Sequence, residues 1–299
     1  MTKRRPKQKL PDGYDAGWMQ RLERMSTVVE AWRRRAESPE APESGSSLAA
    51  DSMDELNVDT LIWYSMCISS EHLDFAINAM RSTSTMYPTA YMTVARTAFV
   101  AAVNAVWVLA SSSRQERRER ALILRADDVR TQVTFLREMR LPQGMAEATR
   151  TESLDQLHAR QAGLQEVAAS LGVKLEVPKI RFNQTTAIDW VAEHMHGVDN
   201  DLLVGATQAV WRSSSAAAHA QLQFGIMRMD RSEVLDGESV GSVVRLRGDL
   251  DADVGPALAA AFMTLNEAFR LYDLRRERLR PPTDAVRREG AFGTDVSGA

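Results

Sequence analysis

The chain has little cysteine: one residue, Cys67, in 299. That excludes an intramolecular disulfide framework and a multi-cysteine zinc site within the chain, and it fits a reducing, cytoplasmic setting. Several motifs are missing as well. There is no GxxxxGK[ST] loop, Rossmann glycine fingerprint, HExxH or EF-hand loop, so the common nucleotide-binding and metal-site templates have no support. Charge of either sign is not in excess, with 37 basic against 40 acidic side chains and a net charge of -3. No global field therefore draws the protein to nucleic acid or anionic lipid, and any basic surface must be local. Lysine is scarce too, at five residues against 32 arginines, so arginine-rich faces carry little weight. The basic start MTKRRPKQKLPDG has no apolar stretch behind it and does not read as a secretory signal. His194 and His196 stand two apart, which on a helix turns them about 200° from each other. They do not form a helical chelating pair, and neither a metal nor a cofactor is expected.

Apolar residues make up 44% of the chain and charged residues 26%, values at which most of a sequence folds. Residues 91–110, YMTVARTAFVAAVNAVWVLA, form the one long apolar run. Arg96 and Asn104 inside it are unfavourable in hydrocarbon, so it reads as the central helix of a protein rather than a membrane span. Apolar spacings of three and four recur in at least five segments. They predict an all-α bundle of six to eight helices, with one small β-hairpin at 222–229 and 240–247 inserted before the last long helix. The predicted organisation is a basic flexible tail over 1–12, a helical arm over 13–37 and a Pro, Ser and Gly linker over 38–50. A bundle domain over 51–280 and a disordered tail over 281–299 complete it. The arm carries Trp18, Leu22, Met25, Val29 and Trp32 on one face. Packed apart from the bundle, that face would be open to a protein partner.

Two basic clusters stand out, Arg114, Arg117, Arg118 and Arg120, and Arg275, Arg276, Arg278 and Arg280. Glutamates in or beside them favour solvated charged faces; both beside one cleft would instead make a phosphate-binding patch. A sharper constellation lies in TQAVWRSSSAAAHAQL, where Gln208, Arg212, Ser215 and His219 fall on one helical line. Arg212 and His219, seven apart, are separated by two turns, about 10 Å of rise. The small residues 213–218 let a neighbouring backbone approach. Thr93, Arg96, Thr97 and Asn104 form a second polar line on the apolar helix. The two lines are predicted to face one cleft, with Glu71, His72 or Asp74 as acceptors for Arg96.

The Arg212-to-His219 spacing resembles the Arg, four-to-six residues, His motif of the HEPN superfamily. WRSSSAAAHA is similar to a Trp/Tyr-Arg-x-x-Ser-x-x-x-His stretch of HEPN-like bacterial helical proteins, and the apolar helix resembles their early helix. Where those proteins carry an acid four residues after the arginine, this chain has Val100. The resemblance spans roughly residues 55–225. It implies metal-independent RNA cleavage in a defence or toxin-like setting, as in many members, with His219 as general acid or base and Arg212 on the phosphate, or the nucleotide-transfer partnership or plain scaffolding of others. It also implies a homodimer with the site at its interface, and Arg96, Ser215, Gln208 and Asn104 as substrate contacts. Read from the residues alone, the pair fits three roles: a polar packing network, phosphate chemistry, or recognition of a ligand or partner.

Overall fold

The computed structural model describes residues 16–83, 85–140, 147–174, 176–222, 225 and 248–278. Pro88 opens the central helix at its first turn, where a missing N–H breaks no helical bond. Around that helix the described residues form nine α-helices. In order they are α1 (Ala16–Ala36), α2 (Ser47–Asp51), α3 (Val58–Thr83), α4 (Pro88–Leu109), α5 (Arg114–Glu138), α6 (Glu147–Ser170), α7 (Gln184–His196), α8 (Asp201–Ala218) and α9 (Gly255–Arg276). The only strand-like feature among the described residues is a single bridge between Met53 and Leu56. The all-α class therefore stands, and α2 takes the helix number past the predicted range. Apart from 222 and 225, the predicted hairpin lies outside the described residues, as do both predicted tails.

α4 has the length and apolarity of a membrane span, and here it is the helix against which α3, α5, α7, α8 and α9 pack. Ala95, Ala98, Ala102 and Ala105 are all fully or almost fully buried. Their small side chains admit helix backbones from several sides at once. Local signals set the ends of its neighbours. Ser113 caps α5 by accepting from the Glu116 amide, Asn200 caps α8 by accepting from Leu203, and Gly172 after α6 takes a φ of +70° that a side chain would resist.

Two expectations are corrected. The first helix is not a separate arm: Trp18, Leu22, Met25, Val29 and Trp32 are buried in the common core. Trp32 stacks on Phe269 of α9 at 5.2 Å between ring centroids. The apolar stripe assigned to a partner is thus covered by the protein's own α3 and α9. The linker is not loose either, because α2 forms across its end with Leu48 and Asp51 buried. The chain then turns through Asp54, whose φ is +41°, and α3 begins at Val58.

The segment before α2 is tied to α9 by charge. Arg35 makes paired bonds to Glu40 (3.0 and 2.8 Å) and to Asp273 (3.2 and 2.7 Å), and Arg276 reaches both carboxylates. Hydrogen bonding from Arg35 holds Glu40 below its ordinary range. Burial pushes Asp273 upward, but Arg35 and Arg276 outweigh it and hold that carboxyl low as well. Depressed carboxylates stabilise the fold above their unfolded values, about pH 4, and that stability disappears as pH falls through the lower folded values. Thermal melts are therefore expected to drop as pH is lowered below about 4. In Glu40→Gln/Asp273→Asn the melting temperature should start lower at neutral pH and fall less steeply in acid. An unchanged acid slope would remove the clamp from the account.

α9 is entered through one π-helical turn, Leu250–Val254, which Asp249 caps by accepting from the Asp251 and Ala252 amides. Trp18 Nε1 donates to Asp251 Oδ1 at 3.0 Å. A Cβ on Gly255 would collide with the Leu250 carbonyl and come within 2.6 Å of the Trp18 ring. Gly255→Ala is therefore expected to destabilise the protein by about 1–3 kcal/mol, read as a lower urea midpoint. A neutral result would mean the turn repacks freely.

Candidate functional site on the outer face of α8

α8 lies on the core through Trp211, Ser214 and Ala217, the last two 1% and 5% exposed. The small residues do what their size predicts, bringing α8 close against α4. That packing decides where the polar ridge points. Arg212 and His219 are on the side of α8 away from Ser214, and both are exposed; Gln208 and Ser215, between the two faces, are half-buried. The pair therefore does not sit in a cleft shared with α4, nor in a buried network. His219 is the C-cap residue, its N–H donating to the Ser215 carbonyl at 3.0 Å, and Ala220 follows with a φ of +51°. The helix ends there, at the imidazole. Leu202 and Leu203 at the other end are 81% and 44% exposed.

Arg96 meets α8 at Trp211, the residue before Arg212. Its guanidinium lies over the Trp211 ring, 4.8 Å from the centroid, with Nε buried and given no acceptor among the described residues. Burial lowers its pKa, and the indole face supplies the compensating cation–π contact. Glu71, His72 and Asp74 do not reach it. They line a broad groove with Arg33 and Arg81 on the α1 side of α3, where His72 Nδ1 pairs with the Ile68 carbonyl at 2.9 Å. Asn104 separates from Arg96 too. Eight residues along a helix give about 80° of rotation, and Asn104 faces α3 and α5 instead of α8.

Members of the two basic clusters do converge, though not on a cleft. Arg275 donates to the Leu109 and Ser111 carbonyls, Arg117 to Ser111 and Ser112, and Arg120 to Trp107. These carbonyls lie at the C-terminal end of α4 and just beyond it, where a helix leaves acceptors unpaired and carries partial negative charge. Arg117 is 2% exposed and clamps Asp51, which is fully buried, through bonds of 2.6 and 2.8 Å. Arg118 holds the Ala50 and Asp51 carbonyls. Arg120 lies between the rings of Trp107 and Trp190 and pairs with Glu116. For Arg117, Arg118, Arg120 and Arg275, solvated face and phosphate patch give way to a structural role, fixing α2, α5 and α9 to the end of α4, while Arg114 and Arg278 are exposed and Arg280 lies outside the described residues.

Electrostatics thus leaves the Arg212 and His219 ridge as the pair of chemically capable groups that α8 packing does not use. The pair was legible as a ridge in the sequence; its outward direction was not. Sequence reasoning missed the cavity that Asn104 lines together with Asn57 and residues of α3 and α5, which carry no motif. Compared with known proteins, the chain matches no family model, no curated protein and no solved structure.

Proposed function

We propose that the chain is a metal-independent endoribonuclease of the HEPN type, acting through Arg212 and His219. The observation that carries this reading is their placement: two groups of complementary chemistry stand on one ridge of an outer helix, exposed and free of any duty in the α4–α8 seam. An imidazole can take the proton of a ribose 2′-OH or return one to a leaving oxygen. A guanidinium about two turns away presents a planar fork to the phosphate and neutralises charge that develops on it.

A single open ridge does not exclude water. The outer face of α8 offers Leu202, Ala206 and Ala209 to a neighbour, all exposed. Pairing of α8 with its copy in a second chain would cover that apolar surface and set two Arg212/His219 pairs across one groove from each other. Half-buried Gln208 and Ser215 supply hydrogen bonds to the strand at its edges. Arg96 and Asn104, on the inner side, are not assigned substrate contacts.

The test is substrate choice. In the presence of chelator the protein should cut single-stranded RNA and leave DNA of the same sequence intact, because DNA lacks the attacking 2′-OH. Equal cutting of both would point to another chemistry. Intact RNA would remove the enzyme reading and leave the apolar outer face of α8 as a surface for binding alone.

A further inference from the structure

A broad groove of 1110 Å³ crosses the outer side of α3 from Arg33 of α1 to Val94 of α4, at the upper limit of small-ligand sites. Its charged lining is of two kinds. Arg81 is engaged by Ser26 and Glu23, and Asp74 accepts from Asn78 at 2.9 Å. Arg33 and Glu71, in contrast, make no side-chain hydrogen bond or ion pair among the described residues, and neither is buried.

The two free charges stand close together. Burial raises the Cys67 thiol pKa, and Arg33 and Glu71 act on that same thiol with opposite sign, so both lie around one side chain. Were they to swing onto each other, a pair this exposed would be worth at most about 1 kcal/mol, so a ligand displaces it at little cost. One turn along from Glu71 is Phe75, 61% exposed, and Ala79 and Val94 continue the apolar side of the groove. A cation, an anion and an aromatic ring are thus offered within a short reach. A carboxylate fits the planar fork of Arg33, an ammonium with its three donors fits Glu71, and an apolar group fits the ring. Asp74 adds a second negative charge, which turns phosphate away.

We propose that this groove binds a free α-amino acid with an apolar side chain, its carboxylate on Arg33, its ammonium on Glu71 and its side chain against Phe75. The nearness of the two charges selects an amino acid, in which both ionic groups share one carbon, over a peptide, whose termini are further apart. The site is separate from the α8 ridge, and it stands or falls independently of RNA cleavage.

The experiment is calorimetric titration of the full chain with L-phenylalanine, with its amide, which lacks the carboxylate, and with its N-acetyl derivative, which lacks the ammonium. Saturable binding of phenylalanine is expected, at least about ten-fold tighter than either derivative, the weight of one charge-assisted hydrogen bond. Arg33→Gln should weaken phenylalanine and leave it no better than the amide; Glu71→Gln should leave it no better than the N-acetyl compound. Both side chains reach solvent, so both variants should keep the parent's melting temperature. Phe75→Ala should weaken all three compounds. No saturable binding of phenylalanine at millimolar concentration, equal binding of the three compounds, or binding unchanged in Arg33→Gln and Glu71→Gln, overturns the assignment.

Discussion

Asp51→Ala is expected to lower the unfolding free energy by about 3–5 kcal/mol, although the residue stands just past a segment that reads as a linker. The carboxylate is fully buried and both its oxygens accept from Arg117, which is itself 2% exposed. Removing it leaves a guanidinium inside the protein with its charge uncompensated, the costly half of a broken buried pair. The remaining Arg117 bonds, to the Ser47 hydroxyl and the Ser111 and Ser112 carbonyls, orient the cation but do not neutralise it. Replacing both partners with apolar residues of similar size, Asp51→Leu with Arg117→Met, should recover much of the loss, because the pair's own desolvation is then removed too. Urea denaturation of the two single variants and the double variant separates these terms. A loss below about 1 kcal/mol in Asp51→Ala, the level of surface pairs, would mean the clamp of α2 on α5 is not a structural element.

The second large effect is expected in activity rather than stability. His219→Ala should reduce RNA cleavage by about 10²–10⁴-fold, the contribution of a general acid or base. Arg212→Lys should also be severely impaired, since an ammonium cannot present two parallel N–H bonds to a phosphate. Neither change should alter the unfolding free energy by more than about 0.5 kcal/mol, because both side chains are exposed and lie away from the packed face of α8. Stability separates catalysis from packing here. Variants that unfold would return the pair to a structural role.

Much of the architecture was legible because local chemistry writes it. The Trp18, Leu22, Met25, Val29 and Trp32 stripe, Pro88 at a helix start, the Ser113 and Asn200 caps and Gly172 at a left-handed turn each act within a few residues of themselves. Periodicity also placed Arg212 and His219 on one ridge. It could not say whether that ridge faces in or out, because α8 is held by Trp211 together with Ser214 and Ala217, and the last two have little hydrophobic signature. The arginine clusters were misread for a related reason. Their partners are backbone carbonyls distant in the chain, as with Arg275 and Leu109, 166 residues apart, and a carbonyl has no letter in the sequence. The stripe of α1 predicted a helix correctly and its independence wrongly, since an apolar face does not show whether its cover comes from the same chain.

Cleavage of one single-stranded RNA, followed in chelator by the parent chain and by His219→Ala side by side, tests the account at its centre. The account predicts cutting by the parent, a loss of at least about 100-fold in the variant, and superimposable melting curves for the two. Equal rates in both proteins, or RNA left intact by the parent, would contradict it.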